Sequence, residues 1–342
     1  MIVIFGITKG LNFIKEKTIF VASINSTIPG INKMEEEHSE SKQTYIEKIL
    51  GTQLAMNDNL IKQKYEEVQN TEENDNENSQ NTVIAENKND KKTEVISENN
   101  IKATYTNEYN GIKIKNSSKY NLTEEILNPN INLDNNKNIS IYHTHTCESY
   151  TPSEKYNYEM TGTYRTTDTN YSVVRVGDEL KKFLEKYNFN VMHDATLNDY
   201  PAYTGSYNRS LKVVEQMLNV QYSDIVIDLH RDAVGSNSNY APTVKIGNDY
   251  AAQLMFVIGT DGGGLEHPNW QQNLKFAIKI QEKANEMYPG LFRPIILRNS
   301  RYNQHVAKGA CIIEVGATGN TLDQCIISMK YLAEILNEAL PH

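Results

Sequence analysis

The amino-acid sequence predicts an α/β domain, with a mostly parallel β-sheet flanked by helices. Two observations lead to this prediction. Between residues 137 and 342, short runs of aliphatic residues alternate with stretches in which apolar residues recur at helical spacing. The connections between these elements are short, as in sheets whose parallel strands are joined by crossover helices. The first 136 residues lack this alternation, so we predict one folded domain at 137–342 preceded by a tether.

Seven short runs rich in Val, Ile and Leu are the predicted strands. They lie at residues 139–143, 190–193, 224–230, 243–246, 252–258, 293–298 and 310–316. Four longer stretches are predicted helices because their apolar residues recur every three or four positions, as Val173, Val176 and Leu180 do. These helices cover residues 172–187, 206–220, 270–287 and 321–339, and the third ends at the helix-breaking pair Pro289-Gly290.

The N-terminal part of the chain has a different composition. Residues 69–100 consist mainly of Asn, Glu, Lys, Asp and Ser, so they cannot bury enough apolar surface to offset the entropy of ordering, and we predict a disordered, flexible tether. Residues 1–30 are apolar in patches but contain no uninterrupted window of about 20 apolar residues. They are expected to be either the remnant of a membrane anchor or a short amphipathic helix. Residues 31–136 would then form a juxtamembrane and flexible linker.

Charge and cysteine content exclude several classes of function. The formal net charge is −9, which argues against a broad basic surface and therefore against nucleic acid as a partner. The three cysteines are odd in number, widely spaced and without a CxxC pair. A disulfide scaffold and a zinc ribbon are therefore both disfavoured.

Three of the predicted strands end in side chains that bind metals or transfer protons. The first runs into His143, His145 and Glu148, and the third ends at His230. Parallel strands bring their carboxyl ends to one edge of a sheet, where the sites of such folds lie. Imidazole and carboxylate are zinc ligands, and catalytic zinc sites use three protein ligands and one open position. Four candidates compete for three places, and the sequence leaves open whether His143 or His145 only orients a ligand.

Glu314 is the predicted catalytic residue. It lies near the end of the apolar strand at 310–316, where a carboxylate is costly unless it is paired or used. Burial would raise its pKa and suit it to act as the general base that deprotonates the attacking water. The alternative is a buried salt bridge to an arginine such as Arg298 or Arg301.

Two further residues are candidates for substrate binding. Arg231, next to His230, is expected to bind an oxyanion or orient the imidazole, and a structural pair with Asp232 is the alternative. Asn303 lies in a polar loop before the strand of Glu314, where it would donate hydrogen bonds to a peptide substrate; a plain surface loop is the alternative.

Together these motifs resemble the stage II sporulation protein P family. They occur in one consistent order over residues 137–342 and read HTHTCESY, VVRVGDEL, GSYNRS, IDLHRDA, HPNWQQNLKFA and GACIIEVGATGNTL. The family is similar to the zinc N-acetylmuramoyl-L-alanine amidases. The resemblance therefore implies a Zn²⁺-dependent peptidoglycan hydrolase that cleaves stem peptides from glycan strands during sporulation engulfment, with endopeptidase activity in some members. It also implies a membrane anchor, and stage II sporulation proteins D and M as partners.

Carried over to this chain, the amidase pattern places zinc ligands on the His143, His145 and Glu148 cluster and on His230, and the catalytic glutamate on Glu314. The second ligand of the amidases usually comes near the start of a helix, so Glu148 departs from that pattern. The implied location is membrane-anchored and extracytoplasmic, on the wall side, in the intermembrane space of the sporangium. The alternatives are a zinc peptidase, a polysaccharide deacetylase and a catalytically silent wall-binding scaffold.

Overall fold

The computed structural model describes residues 84–85, 93–96, 104–134, 136–160, 163–234 and 239–340. The predicted anchor at 1–30 and most of the predicted tether at 69–100 lie outside these residues. Within the described ranges, no helix combines the length and the apolar character needed to cross a membrane.

Within the described parts of the chain, twelve strands form two sheets. In chain order they are β1 (Ile84–Ala85), β2 (Thr93–Ile96), β3 (Asn107–Tyr109), β4 (Ile112–Ser117), β5 (Asn138–Tyr142), β6 (Asn190–His193), β7 (Ile225–Asp232), β8 (Thr243–Ile246), β9 (Asp249–Ala252), β10 (Leu254–Gly259), β11 (Ile295–Arg298) and β12 (Gly309–Ala317). The larger sheet has the order β3-β4-β11-β10-β12-β7-β5-β6. Only β3–β4 and β10–β12 pair antiparallel, and the other neighbours are parallel. The predicted mostly parallel sheet is therefore confirmed.

The folded part of the chain begins before the predicted boundary at residue 137. Strands β3 and β4 extend the larger sheet at its edge, since β4 pairs with β11. The smaller sheet, β1-β2-β8-β9, is antiparallel and includes two strands from the segment predicted as a tether. Local composition did not indicate these strands, because β2 is stabilised by pairing with β8, about 150 residues away, and β1 pairs with β2.

Among the residues that the structure describes, five α-helices accompany the sheets. They are α1 (Glu124–Leu127), α2 (Val173–Lys186), α3 (Ser206–Val220), α4 (Trp270–Met287) and α5 (Leu322–Ala339). The four predicted helices are confirmed, and α1 is an addition. Side chains at the helix starts satisfy backbone N–H groups: Ser172 accepts a hydrogen bond from Val174 N, and Thr321 forms a capping box with Gln324.

The two faces of the larger sheet have different partners. Ile225, Ile227 and Leu229 of β7 belong to the main hydrophobic core, to which α2, α4 and α5 contribute, and we call this side the core face. The residues between them, Val226, Asp228 and His230, point the other way because side chains alternate along a strand. Val214 and Met217 of α3 pack against Val226 on this second side, so we call it the α3 face.

Candidate functional site

Two of the predicted functional residues lie side by side on the α3 face. Strands β7 and β12 run parallel, and their register pairs His230 directly with Glu314. Paired residues on neighbouring strands point to the same face of a sheet. The histidine and the carboxylate predicted to share one reacting water are therefore on the same face, at neighbouring positions.

A tight turn brings His145 to this pair. The chain leaves β5 and turns at Thr144, whose N and Oγ1 donate hydrogen bonds of 2.8 and 2.6 Å to the two carboxylate oxygens of Asp228. After this turn, the His145 ring lies perpendicular to that of His230, with centroids 5.1 Å apart. Its Nε2 is 3.0 Å from Tyr203 Oη, and its Nδ1 is buried without a hydrogen-bond partner among the described residues.

Glu148 completes the cluster. Its Oε2 lies 3.6 Å from His230 Nδ1 and accepts a hydrogen bond of 3.0 Å from the backbone N–H of Arg231. The other ring nitrogen of His230, Nε2, is 2.8 Å from Asp228 Oδ1, an ion-pair contact in which the N–H is not aligned with the oxygen. The structure therefore brings together His145, Glu148 and His230, with Glu314 beside them. We call these four residues the strand-end cluster.

His143, the fourth predicted ligand, lies elsewhere. It directly follows β5 on the core face, where its Nδ1 is 2.9 Å from Leu229 O and its Nε2 is 2.8 Å from His193 Nε2. His193 in turn contacts Asp178 of α2 at 3.1 Å. Both nitrogens of His143 are thus used in contacts within the protein. His143 and His145 therefore do not share one face, because the turn at Thr144 separates them.

The His143–His193 pair sets how closely α2 approaches the sheet, and a substitution in α2 tests this. A Cβ added at Gly177 would lie 2.6 Å from His193 Nε2 and 3.0 Å from His143 Nε2. Alanine is favoured over glycine within a helix by about 1 kcal/mol. We nevertheless expect Gly177→Ala to lower the free energy of unfolding by about 1–3 kcal/mol, because the clash lies in a packed interior. Urea denaturation measures this, and an unchanged or more stable variant would contradict the packing described.

The two predicted substrate-binding residues are occupied with internal contacts. Arg231 is buried and follows His230 along β7, so its side chain points to the core face, where Nη1 donates to Thr318 Oγ1 at 2.7 Å. Asn303 is also buried, and its Nδ2 donates to Tyr207 O and Ser210 Oγ, both at 2.9 Å. Both side chains make contacts within the protein that do not support the predicted substrate binding, although Arg231 Nε is buried and has no hydrogen-bond partner among the described residues. The surface-loop alternative for Asn303 is equally excluded by its burial.

Carboxylates perturb the pKa of His230. Burial alone would lower this pKa, but the effect of Asp228 and Glu148 is larger and raises it to about 10. Burial and the nearby Asp232 raise the pKa of Glu314, while His230 and Arg293 oppose this effect. Glu314 Oε2 is buried and has no hydrogen-bond partner among the described residues. The alternative prediction, a salt bridge to Arg298 or Arg301, is therefore not observed at this oxygen. The glutamate therefore keeps an oxygen available for chemistry.

The donor set suits zinc in chemistry and spacing. Two donors about 2.0–2.1 Å from a tetrahedral zinc ion lie about 3.3 Å apart, close to the 3.6 Å between His230 Nδ1 and Glu148 Oε2. A zinc-binding histidine usually has a carboxylate at its other nitrogen, as Asp228 lies near Nε2 of His230. The buried, unpaired Nδ1 of His145 is a further available donor atom. Within the described ranges, however, no three His, Cys, Asp or Glu side chains already converge as a ready metal site.

Several residues around the cluster escaped the sequence-based prediction. Asp228 could have been predicted from the sequence, since it lies two residues before His230 and therefore on the same face of the strand. No sequence pattern indicated Asp199, which is buried in a loop, 2.7 Å from Arg165 Nη2 and 3.9 Å from His145 Nδ1. Tyr203 is also unmarked in the sequence, and its ring stacks on His145 at 4.5 Å.

Comparison with known proteins places the chain in a family. The model of the family described as Stage II sporulation protein P matches residues 24–337, which is most of the chain. The chain belongs to the stage II sporulation protein P family. This confirms the resemblance seen in the sequence motifs. It is 30% identical over 217 residues to Stage II sporulation protein P of Bacillus subtilis (strain 168), an alignment that covers 59% of this chain and 51% of that protein. The chain thus spans about half the length of that curated relative.

Solved structures of N-acetylmuramoyl-L-alanine amidases are similar to this stage II sporulation protein P family member at low identity. The CwlD amidase from Clostridioides difficile, solved in complex with the GerS lipoprotein, is 14% identical with a TM-score of 0.38, covering 59% of this chain and 95% of that one. The catalytic domain of CwlV from Bacillus (Paenibacillus) polymyxa is 12% identical with a TM-score of 0.37, with the same coverage. At these scores the likeness supports no conclusion about function.

Proposed function

We propose that this chain is a peptidoglycan hydrolase, an N-acetylmuramoyl-L-alanine amidase that cleaves stem peptides from glycan strands during sporulation engulfment. The observation that carries the proposal is the register of β7 and β12, which sets Glu314 beside His230 with a carboxylate oxygen unpaired. Membership of the stage II sporulation protein P family supports the substrate class. An amide bond is hydrolysed when a water attacks its carbonyl carbon, and that water needs a base.

Glu314 is the residue we assign as this base. Its partial burial disfavours the charged carboxylate, which makes the group a better proton acceptor than an exposed glutamate. The accepted proton can then pass to the nitrogen of the leaving amine as the amide bond breaks. Arg293 supplies positive charge nearby, which favours the carboxylate form before the reaction.

We further propose that the enzyme depends on zinc held by His145, Glu148 and His230. The pairwise spacing within the strand-end cluster and the carboxylate of Asp228 near His230 support this assignment. When bound, the metal would supply Lewis-acid chemistry, polarising the amide carbonyl and making water more acidic. His143 is omitted from the ligand set because both of its nitrogens are used within the protein.

The remaining expectations from the sequence are part of the proposal. They are an extracytoplasmic, membrane-anchored location on the wall side of the sporangium, an additional endopeptidase activity, and action together with stage II sporulation proteins D and M. The surface that those partners would contact is not assigned to any described residue.

Digestion of purified peptidoglycan tests the reaction type. We expect glycan strands carrying free muramic acid carboxyls together with intact stem peptides, identified by mass spectrometry. Cleaved cross-links without free stem peptides would replace the amidase with a peptidase, and released acetate would replace it with a deacetylase. Activity should disappear on dialysis against a chelator and return with stoichiometric zinc. Activity that survives complete metal removal would contradict the zinc proposal but not the amidase.

A further inference from the structure

Tyr302 holds an unusual backbone conformation next to the strand-end cluster. Its φ is +52°, in the left-handed region that bulky residues rarely adopt. A non-glycine residue held there costs on the order of 1–3 kcal/mol, and such residues concentrate at functional sites. Some surrounding interaction must therefore hold Tyr302 in place.

Buried amides on the C-terminal side of Tyr302 supply that interaction. Asn303 donates to Tyr207 O and Ser210 Oγ of α3. Gln304 accepts from Gly259 N and donates to Val257 O, both at 2.8 Å, which ties the loop to β10. Asn303 was a candidate for contact with a substrate. The role of both amides in the structure is instead to fix the loop that carries Tyr302.

The loop places the Tyr302 ring on the same face of the sheet as Glu314. The ring packs against Met255, Val257 and Ile312. Met255 is the direct partner of Glu314 across β10 and β12, and Ile312 lies two residues before Glu314 on the same strand. These side chains share the face of Glu314, because register partners and alternate residues point the same way.

An aromatic row connects Tyr302 to the predicted ligand His145. The Tyr302 ring lies 5.7 Å from that of Tyr207, and the Tyr207 ring lies 5.6 Å from that of His145. At the other end of the row, Tyr203 stacks on His145, and Arg165 lies 5.4 Å from the Tyr203 ring centroid. The row therefore ends in the Tyr302 ring on one side and meets the ion pair of Arg165 with Asp199 on the other.

We propose that Tyr302, with Tyr207, forms the surface on which a sugar ring of the glycan strand binds beside Glu314. The inference rests on the proposed function, which it extends by naming the part of the substrate that each end of the row receives. A tyrosine offers an apolar face and a polar hydroxyl, which match the two kinds of surface on a pyranose ring. The bond to be cleaved would lie at Glu314, so the stem peptide would extend from there towards Tyr203 at the other end of the row.

Binding measurements on the Glu314→Gln protein separate the two parts of the substrate, because this variant is expected to turn over substrate at least about 100-fold more slowly. The probes are a neutral tetramer of N-acetylglucosamine and a free stem peptide, each titrated by calorimetry. We expect Tyr302→Asn to weaken tetramer binding about tenfold or more and to leave peptide binding within about twofold. Asparagine tolerates the left-handed conformation, so the loop should persist. Tyr302→Phe keeps the ring and should bind the tetramer within about threefold of the parent.

Tyr250→Asn is the matched control, because Tyr250 is 45% exposed on β9 of the small sheet and should affect neither probe. The inference is overturned if the parent does not bind the tetramer, if Tyr302→Asn binds it unchanged, or if peptide binding falls equally. A purely structural role would lower the melting temperature without changing the ratio of the two affinities. Failure of the unmodified enzyme to release stem peptides from peptidoglycan would instead count against the proposed function itself.

Discussion

Replacement of Glu314 by glutamine is expected to reduce the rate of stem-peptide release by about 100- to 10,000-fold, the range typical of losing a general base. Glutamine keeps the shape of the side chain but cannot accept the proton. Glu314 Oε2 has no hydrogen-bond partner among the described residues, so the substitution breaks no hydrogen bond of this oxygen with them. Removing a carboxylate from this partly buried position also removes its desolvation cost, so the melting temperature should stay the same or rise. Initial rates on purified peptidoglycan and a thermal melt measure both effects.

The matched control for this change is Glu215→Gln on the exposed side of α3, which should leave the rate unchanged. Zinc content should be equal in Glu314→Gln and the unmodified protein, because Glu314 is not among the proposed ligands. A Glu314→Gln protein that remains active would remove this residue from the mechanism. A protein that loses zinc together with activity would make Glu314 a ligand instead of a base.

The sequence was sufficient to predict the parts of the site that depend on strand ends. His230 and Glu314 each close an apolar run, and parallel strands bring such ends to one edge of a sheet. Their pairing in register follows once β7 and β12 are neighbours, although the neighbour relation itself came only from the fold. The helices were predictable for a similar reason, since apolar periodicity is a local property.

The parts that were missed depend on contacts between distant segments. The side-chain directions of His143 and His145 differ because Thr144 bonds to Asp228, which lies 84 residues further along the chain. Asn303 lies in a polar stretch typical of a loop, but its amide donates hydrogen bonds to Tyr207 and Ser210 of α3, which lie almost a hundred residues earlier in the sequence. Strand β2 was not predicted because it lies in a polar segment and forms by pairing with β8, which is distant in the sequence. Composition and spacing carry no information about such pairings.

The separation of the two histidines leads to the second prediction with a large effect. His230→Ala should weaken zinc binding by more than about 100-fold, since losing a direct ligand exceeds the 10- to 100-fold effect of an outer partner. His143→Ala should leave zinc affinity within about tenfold but lower the free energy of unfolding by about 1–3 kcal/mol, because His193 loses its buried partner. Chelator competition and denaturation measure the two quantities separately.

This pair of variants discriminates between the two possible ligand sets, because both remove a buried imidazole. Without His230, the carboxylates of Asp228 and Glu148 also lose the imidazole that they contact, so His230→Ala is expected to be less stable as well as metal-poor. Zinc content must therefore be expressed per folded molecule. If His143→Ala loses the metal while His230→Ala keeps it, the site lies on the core face beside His193, and Glu314 is then on the wrong side of the sheet to act as the base.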